Sequence, residues 1–302
     1  TMGLVSIFVE ILLPVFLVVG AGTVAGRKLQ LDTKSLSRLV YWVVGPVFVY
    51  SVLATADLSV GLVARILGAT MLAIFGSGIV AWLSARVLDR PVRIGSAGVL
   101  SSVYGNVGNF GLAIVAFTFG VAALGFAGVV LVAVNVTGVF IGVAVARWHE
   151  HGALRALRMA LTAPMTLAVV PAAIVNGGDI TLPLWLDRPL TLVAGALIPV
   201  MLLTLGAQLG QMTKPHVSMD VVRAIVVKLV IAPLFAAGAV VLVGLTGVPA
   251  GVVILQFAMP AAVFTSIIAL EHDLEPDLVT TTVLVGTLAS IVTIPIVIAL
   301  VS

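Results

Sequence analysis

The stretch Gly105-Asn106-Val107-Gly108-Asn109-Phe110-Gly111 sits in the middle of an otherwise hydrophobic run, 95–118, and places three glycines and two amides there. Glycine costs about 1 kcal/mol against alanine in a helix interior and permits close or non-helical backbone. Asparagine brings donors and acceptors that hydrocarbon cannot satisfy, so Asn106 and Asn109 must face protein, water or a ligand. A second interruption, Ala258-Met259-Pro260-Ala261-Ala262-Val263-Phe264-Thr265, lies in the run 249–270, where Pro260 removes a backbone hydrogen bond.

Outward from these stretches, the chain has 302 residues, 61% hydrophobic and 9% charged, against about 25% charged in an ordinary soluble domain. With a mean hydropathy of +1.29, it is better divided into membrane spans of about 20 residues than into soluble domains. Apolar stretches fall at 4–26, 35–54, 60–85, 95–118, 121–146, 159–176, 189–210, 219–246, 249–270 and 277–301. The expected fold class is therefore an all-α polytopic membrane protein of ten transmembrane helices. A strand barrel needs segments of alternating polarity, and runs such as Val221 to Leu245 do not alternate. With no cysteine, disulfides and thiolate metal sites are excluded.

The sequence pI of about 9.6 rests on a net charge of only +3, without a basic run, and does not indicate nucleic acid. It reads instead as topology. One side of the bilayer collects Arg27, Lys28, Lys34, Arg38, Arg86, Arg90, Arg93, Arg147, Arg155, Arg158, Lys214 and Arg223; the other has Arg65 and Arg188. By the positive-inside rule the first set faces the cytoplasm and both termini face out. The first apolar segment has no basic residue ahead of it and reads as a span rather than a cleaved signal.

The chain also repeats. Pro46-Val47-Phe48-Val49-Tyr50-Ser51 and Pro199-Val200-Met201-Leu202-Leu203-Thr204 each place a hydroxyl five residues after a proline, and the same offset of 153 residues carries Val107 onto Pro260. Residues 1–150 and 151–302 thus read as two five-helix halves. Five is odd, so the second half enters from the opposite face, the inverted architecture that secondary transporters use. Two broken helices meeting near the midplane would aim half-helix N-termini at an anion. The expected site is Asn106, Gly108 and Asn109 with Met259, Pro260 and Ala261.

Among other polar residues, Lys228 lies about two turns into the eighth span, where a cation costs about 2.5–3.5 kcal/mol at mid-depth. Two readings stand side by side: it neutralises a carboxylate or replaces a cation, or its stem snorkels or pairs with a carbonyl. Asn135, in the fifth span, reads as a polar lining or helix contact. Gln208 and Gln256 are cavity candidates, Ser290 and Thr293 are expected to bond within their helix, and Glu10 reads as interfacial. Glu271, His272, Asp273, Glu275 and Asp277 form a solvated loop, and His149-Glu150-His151 lacks the spacing of a metal site. No catalytic triad, phosphate loop or pocket carboxylate pair emerges, so an enzyme is not expected.

At these residues the chain resembles the auxin efflux carrier family, which holds plant auxin exporters and bacterial carboxylate permeases. Asn106, Gly108 and Gly111 match its Asn-x-Gly-x-x-Gly pattern. Pro46, the segment from Pro199 to Leu209, Lys228-Leu229 with Pro233, and Met259-Pro260 are similar to its second, seventh, eighth and ninth helices. Ala113 stands where the family commonly has a second proline. The resemblance implies the fold shared with bile-acid symporters and sodium/proton antiporters. In that fold helices one, two, six and seven form a scaffold, through which a homodimer would form, and the others form a moving, elevator-like bundle. It implies transport, in the efflux direction, of a small organic anion such as an auxin-like acid or a mono- or dicarboxylate, in a bacterial inner membrane. No cofactor is expected, and a coupling H+ or Na+ is left open. A membrane sensor on the same fold and a channel are the competing classes. Flux in proteoliposomes separates the sensor, and saturable exchange the channel.

Overall fold

The computed structural model describes residues 3–146, 153–212 and 215–302, and within these the side chains of residue 139 and of residues 142–146 and 153–156 lie outside the described set. Arg147, His149-Glu150-His151, Lys214 and the side chain of Arg155 are therefore outside the described residues. The rest is helical, with one isolated bridge as its sole β pairing among the described residues.

In chain order the helices are α1 (Leu4–Lys28), α2 (Thr33–Ala54), α3 (Val60–Val87), α4 (Val92–Val103), α5 (Val107–Phe119) and α6 (Leu124–Ala146). They continue with α7 (Ala153–Leu161), α8 (Pro164–Gly177), α9 (Leu184–Gln211), α10 (Met219–Leu242), α11 (Gly247–Phe257), α12 (Val263–Glu271) and α13 (Pro276–Val301). Seven segments are long and apolar enough to cross a membrane: α1, α2, α3, α6 counted from Val121, α9, α10 and α13.

The expected spans shift where local chemistry intervenes. The run 95–118 resolves into α4 and α5, and 249–270 into α11 and α12, because each interruption stops the helix outright. The run 159–176 divides before Pro164, whose ring disfavours helical backbone at Ala163. The seventh span starts earlier than 189, at Leu184 after Pro183, which draws Asp187 and Arg188 into the helix. Polar caps fix other starts. Ser59 accepts from Leu62 N–H at 3.2 Å, Ser218 from Val221 N–H at 3.3 Å, and Asp32 from Lys34 N–H at 3.0 Å. The Ser35 hydroxyl and then the Lys34 N–H hold the Asp32 carboxyl below its ordinary pKa.

Prolines leave a second mark. Widened π turns occupy Phe8–Leu12, Val40–Val44 and Val227–Ile231, and each ends two residues before a proline, at Pro14, Pro46 and Pro233. A proline has no N–H and its ring crowds the carbonyl four residues back, so the helix takes up a wider turn there. Lys228 lies in the third of these turns.

The tightest seam joins α1 to α9. A Cβ on Gly206 would lie 2.0 Å from the Val19 carbonyl oxygen, and one on Gly22 would lie 2.3 Å from that of Leu203. Gly22 and Gly26 thus face Leu203 and Ala207, while Gly206 and Gly210 face Val19 and Thr23, the small-residue packing of membrane helices. Polar groups here are paired across the seam: Thr23 Oγ1 donates to Gly206 O at 3.0 Å and Arg27 Nε to Gly210 O at 3.1 Å. Further packing pairs α2 with α8 and α9, and α3 with α4 and α10.

Candidate functional site at the paired helix breaks

The two interruptions meet. Between α4 and α5, and between α11 and α12, the chain is non-helical, and the two segments run antiparallel with Gly105 bridged to Ala261. The Asn106 N–H donates to Pro260 O at 2.7 Å, and the Ala262 N–H donates to Tyr104 O at 3.0 Å. These bonds satisfy backbone groups that the breaks expose, which is how irregular backbone persists inside an apolar body. The N-terminal ends of α5 and α12 leave from this pairing, each with N–H groups that lack an intrahelical partner.

Around the pairing the side chains are closed off and polar. Asn106 is 3% exposed, Lys228 2% and Gln256 0%. Asn106 Nδ2 and both amide atoms of Gln256 have no hydrogen-bond partner, nor do the buried hydroxyls of Ser101, at the end of α4, and Ser266, at the start of α12. Each such atom costs roughly 1–3 kcal/mol when left unpaired. Five of them approach the whole stability of an ordinary domain, so packing alone does not account for the cluster. Lys228 Nζ reaches up from the π turn of α10 to within 2.7 Å of the position a Gly105 Cβ would take, and 5.6 Å from the centroid of the Phe257 ring. It makes no hydrogen bond or ion pair among the described residues. Of the two readings of this lysine, snorkelling is therefore not observed.

Glycine makes room for side-chain ends at the contact. A Cβ on Gly111 would lie 2.1 Å from Gln256 Oε1 and 3.1 Å from Met259 Cγ. A Cβ on Gly108 would meet Met201 Cε at 3.0 Å and Leu131 Cδ1 at 3.3 Å, so α5 presses here against apolar side chains of α9 and α6. Phe110 is fully buried and packs edge-on to Phe16. The pairing thus has a donor-rich side of amides, the Lys228 amine and helix N-termini, and an apolar side of methionine, leucine and aromatic groups.

The other residues read from the sequence divide. Met259, Pro260 and Ala261 are buried in the pairing itself. Asn109 lies on the first turn of α5 and is half-buried. Asn135 is reached from the pairing through Tyr104, whose hydroxyl donates to Asn135 Oδ1 at 2.5 Å. Gln208 lies elsewhere: its Nε2 donates to Ser37 Oγ at 3.2 Å, joining α9 to α2. Ser290 bonds within its helix, to Thr287 O at 2.7 Å, whereas Thr293 Oγ1 is buried without a partner, contrary to expectation. Glu10 is exposed and accepts from Ser6. In the acidic loop, Asp273 pairs with Arg93. Tyr104 was not singled out from the sequence. Its signal was an aromatic hydroxyl directly before the glycine–amide break, and its ring fills the space that a side chain on Gly138 would need.

Residues 153–298 match the family described as membrane transport protein. This match takes in just under half of the chain. The chain is 27% identical over 270 residues to an uncharacterized transporter of Methanothermobacter thermautotrophicus, covering 87% of each chain. It is 30% identical over 115 residues to auxin efflux carrier component 6 of Arabidopsis thaliana, covering 37% of this chain and 20% of the plant protein. With its seven long apolar helices the protein is an integral membrane protein, and the proteins it is similar to are transporters rather than enzymes.

Proposed function

We propose that this protein carries a small organic anion by alternating access, with the carboxylate held at the paired breaks. The observation that carries the reading is the buried, unpartnered amide groups there, Asn106 Nδ2 and those of Gln256, set beside Lys228 and the N-terminal ends of α5 and α12. An ammonium, amide N–H groups and the positive ends of two helices all favour negative charge. Asn106 and the backbone of Gly108, Asn109, Met259, Pro260 and Ala261 form the cradle; Lys228 supplies the countercharge, and Asn135 holds Tyr104 at its edge. Met201, Leu131 and Phe110 offer the hydrocarbon body of the substrate an apolar flank.

An inverted repeat of ten spans is the arrangement we infer, with α4 and α5, α7 and α8, and α11 and α12 each counted as one interrupted span. Packing supports it, because the pairing pattern maps onto itself when each span is advanced by five. The first span packs on the seventh as the sixth does on the second, and the third packs on the eighth, as the fourth crosses the ninth. The same packing supports a scaffold of α1, α2, α8 and α9, against which the remaining helices move. Basic loops lie together: Arg90 and Arg223 pair with Asp220, and Arg93 with Asp273. At the opposite end Arg65 reaches Gly244 O and Asn176 reaches the carbonyls of Leu53, Ala54 and Ala56. Under the positive-inside rule the first end is cytoplasmic and both termini are outside, in a bacterial inner membrane. Efflux is the proposed direction, and a homodimer through the scaffold the proposed assembly.

Saturable uptake of radiolabelled indole-3-acetate or malate into proteoliposomes, absent from protein-free vesicles, is the expected result. Binding of these anions without any flux would make the protein a sensor instead.

A further inference from the structure

Only two charged side chains are buried among the described residues, and they are treated oppositely. Asp220, 9% exposed, has Arg90 Nε at 3.2 Å and Arg223 Nη2 at 3.4 Å. Lys228, 2% exposed, has no anionic partner and is held against Gly105 and the Phe257 ring. A lone ammonium buried without a countercharge is costly, whereas a neutral amine is far less so. A bound carboxylate reverses the balance by supplying the missing countercharge.

We propose that Lys228 takes up one proton when an anion enters the paired breaks and releases it when the anion leaves, so that each carboxylate crosses with one proton. This rests on the anion-site reading above. The balance is simple: on one side the amine gains a proton from water as the carboxylate binds, forming an ion pair that is of zero net charge for a monocarboxylate and −1 for a dicarboxylate. On the other side the carboxylate departs and the ammonium returns its proton to water. No covalent bond other than that N–H forms or breaks, and no electron moves. With a monocarboxylate the loaded and the empty carrier then have the same charge and the cycle is electroneutral, whereas a dicarboxylate carries one net negative charge across. Binding linkage makes the effect reciprocal, since whatever anion binding does to proton affinity, the proton does to anion affinity.

Other ionisable groups are poorly placed to take this role. The helices packed against the π turn of α10 are α3, α4 and α13. Their charged residues, Arg65 and Arg86 on α3, Arg93 on α4 and Asp277 on α13, all lie toward helix ends. On α10 itself, Asp220 and Arg223 are paired with each other. At the break, Tyr104 gives its hydroxyl hydrogen to Asn135. α11 carries no charged residue, and α12 has only Glu271, at its far end.

The test is proton uptake by the purified full-length protein in weakly buffered detergent solution, read with a pH dye. Indole-3-acetate and malate, adjusted beforehand to the same pH and fully ionised, serve as probes, and binding is read in parallel by thermal shift. The expected result is about one proton taken up per anion bound, with affinity weakening about tenfold per pH unit on the alkaline side. Lys228→Arg, whose guanidinium does not deprotonate, is expected to bind the anion with no proton uptake and a flat pH dependence. Lys228→Met, a neutral side chain of similar length, is expected to show neither proton uptake nor tight binding. Wild-type binding without proton uptake, or uptake unchanged in Lys228→Arg, would overturn the coupling while leaving the anion site intact. Absence of any thermal shift with either probe would overturn the anion-site reading itself, and this proposal with it.

Discussion

The α1–α9 seam and the paired breaks are both built on glycine, yet they use it for opposite ends. At the seam, Gly22, Gly26, Gly206 and Gly210 bring two unbroken helices into backbone contact, and Thr23 and Arg27 find partners across it. At the breaks, Gly105 and Gly111 make room for side chains, the ends of Lys228 and Gln256, whose polar atoms are then left without partners. Satisfied polar groups make a rigid joint. Unsatisfied ones, enclosed on all sides, make a site that another molecule must complete.

Substitutions should separate these two uses, the largest effect being at the seam. Gly206→Val places a Cβ against the Val19 carbonyl and the Thr23 N–H, backbone atoms that cannot turn aside. The expected loss is about 3 kcal/mol or more, or failure to insert, read as collapse of the thermal transition in detergent. Stability within experimental error of the wild type would break the contrast.

Gly111→Ala is expected to behave differently. Its Cβ meets the mobile end of Gln256 and Met259, and alanine favours helix by about 1 kcal/mol. Folding should change by no more than about 1 kcal/mol while anion affinity falls at least about tenfold, a split between melting temperature and binding that the seam substitution does not show.

Tyr104→Phe removes the bond to Asn135. The expected cost is about 1 kcal/mol of stability, with transport slowed and binding retained, checked by flux assays at saturating anion. The smallest effect is expected at Gly238, in the interior of α10 with nothing within 4 Å of its Cβ position. Gly238→Ala should raise stability by up to about 1 kcal/mol and leave transport unchanged.

Much of this was legible in the sequence, for identifiable reasons. Glycines, amides and Pro260 interrupt hydrophobic runs so sharply that both breaks show in the residues alone. Lys228 was visible as a cation at depth, but its contact with Gly105 depends on the π turn ahead of Pro233, a local widening that apolar periodicity does not encode. Gln256 stood out as polar, while its placement against Gly111 required both breaks to be brought together. The seam glycines at four-residue spacing carried a packing signal, though nothing in the spacing says that α1 meets α9. Thr293 shows the limit of rules for single residues: the hydroxyl that helices normally satisfy internally is here left unpaired.

The central claim is that the unpartnered amide of Asn106 belongs to the anion. It is tested most directly by titrating purified wild-type and Asn106→Ala protein with indole-3-acetate and malate, following thermal stability and confirming helical content by circular dichroism. The account expects normal folding of the variant and anion affinity weakened by about tenfold or more. A variant that folds normally and binds both anions as tightly as the wild type would contradict it.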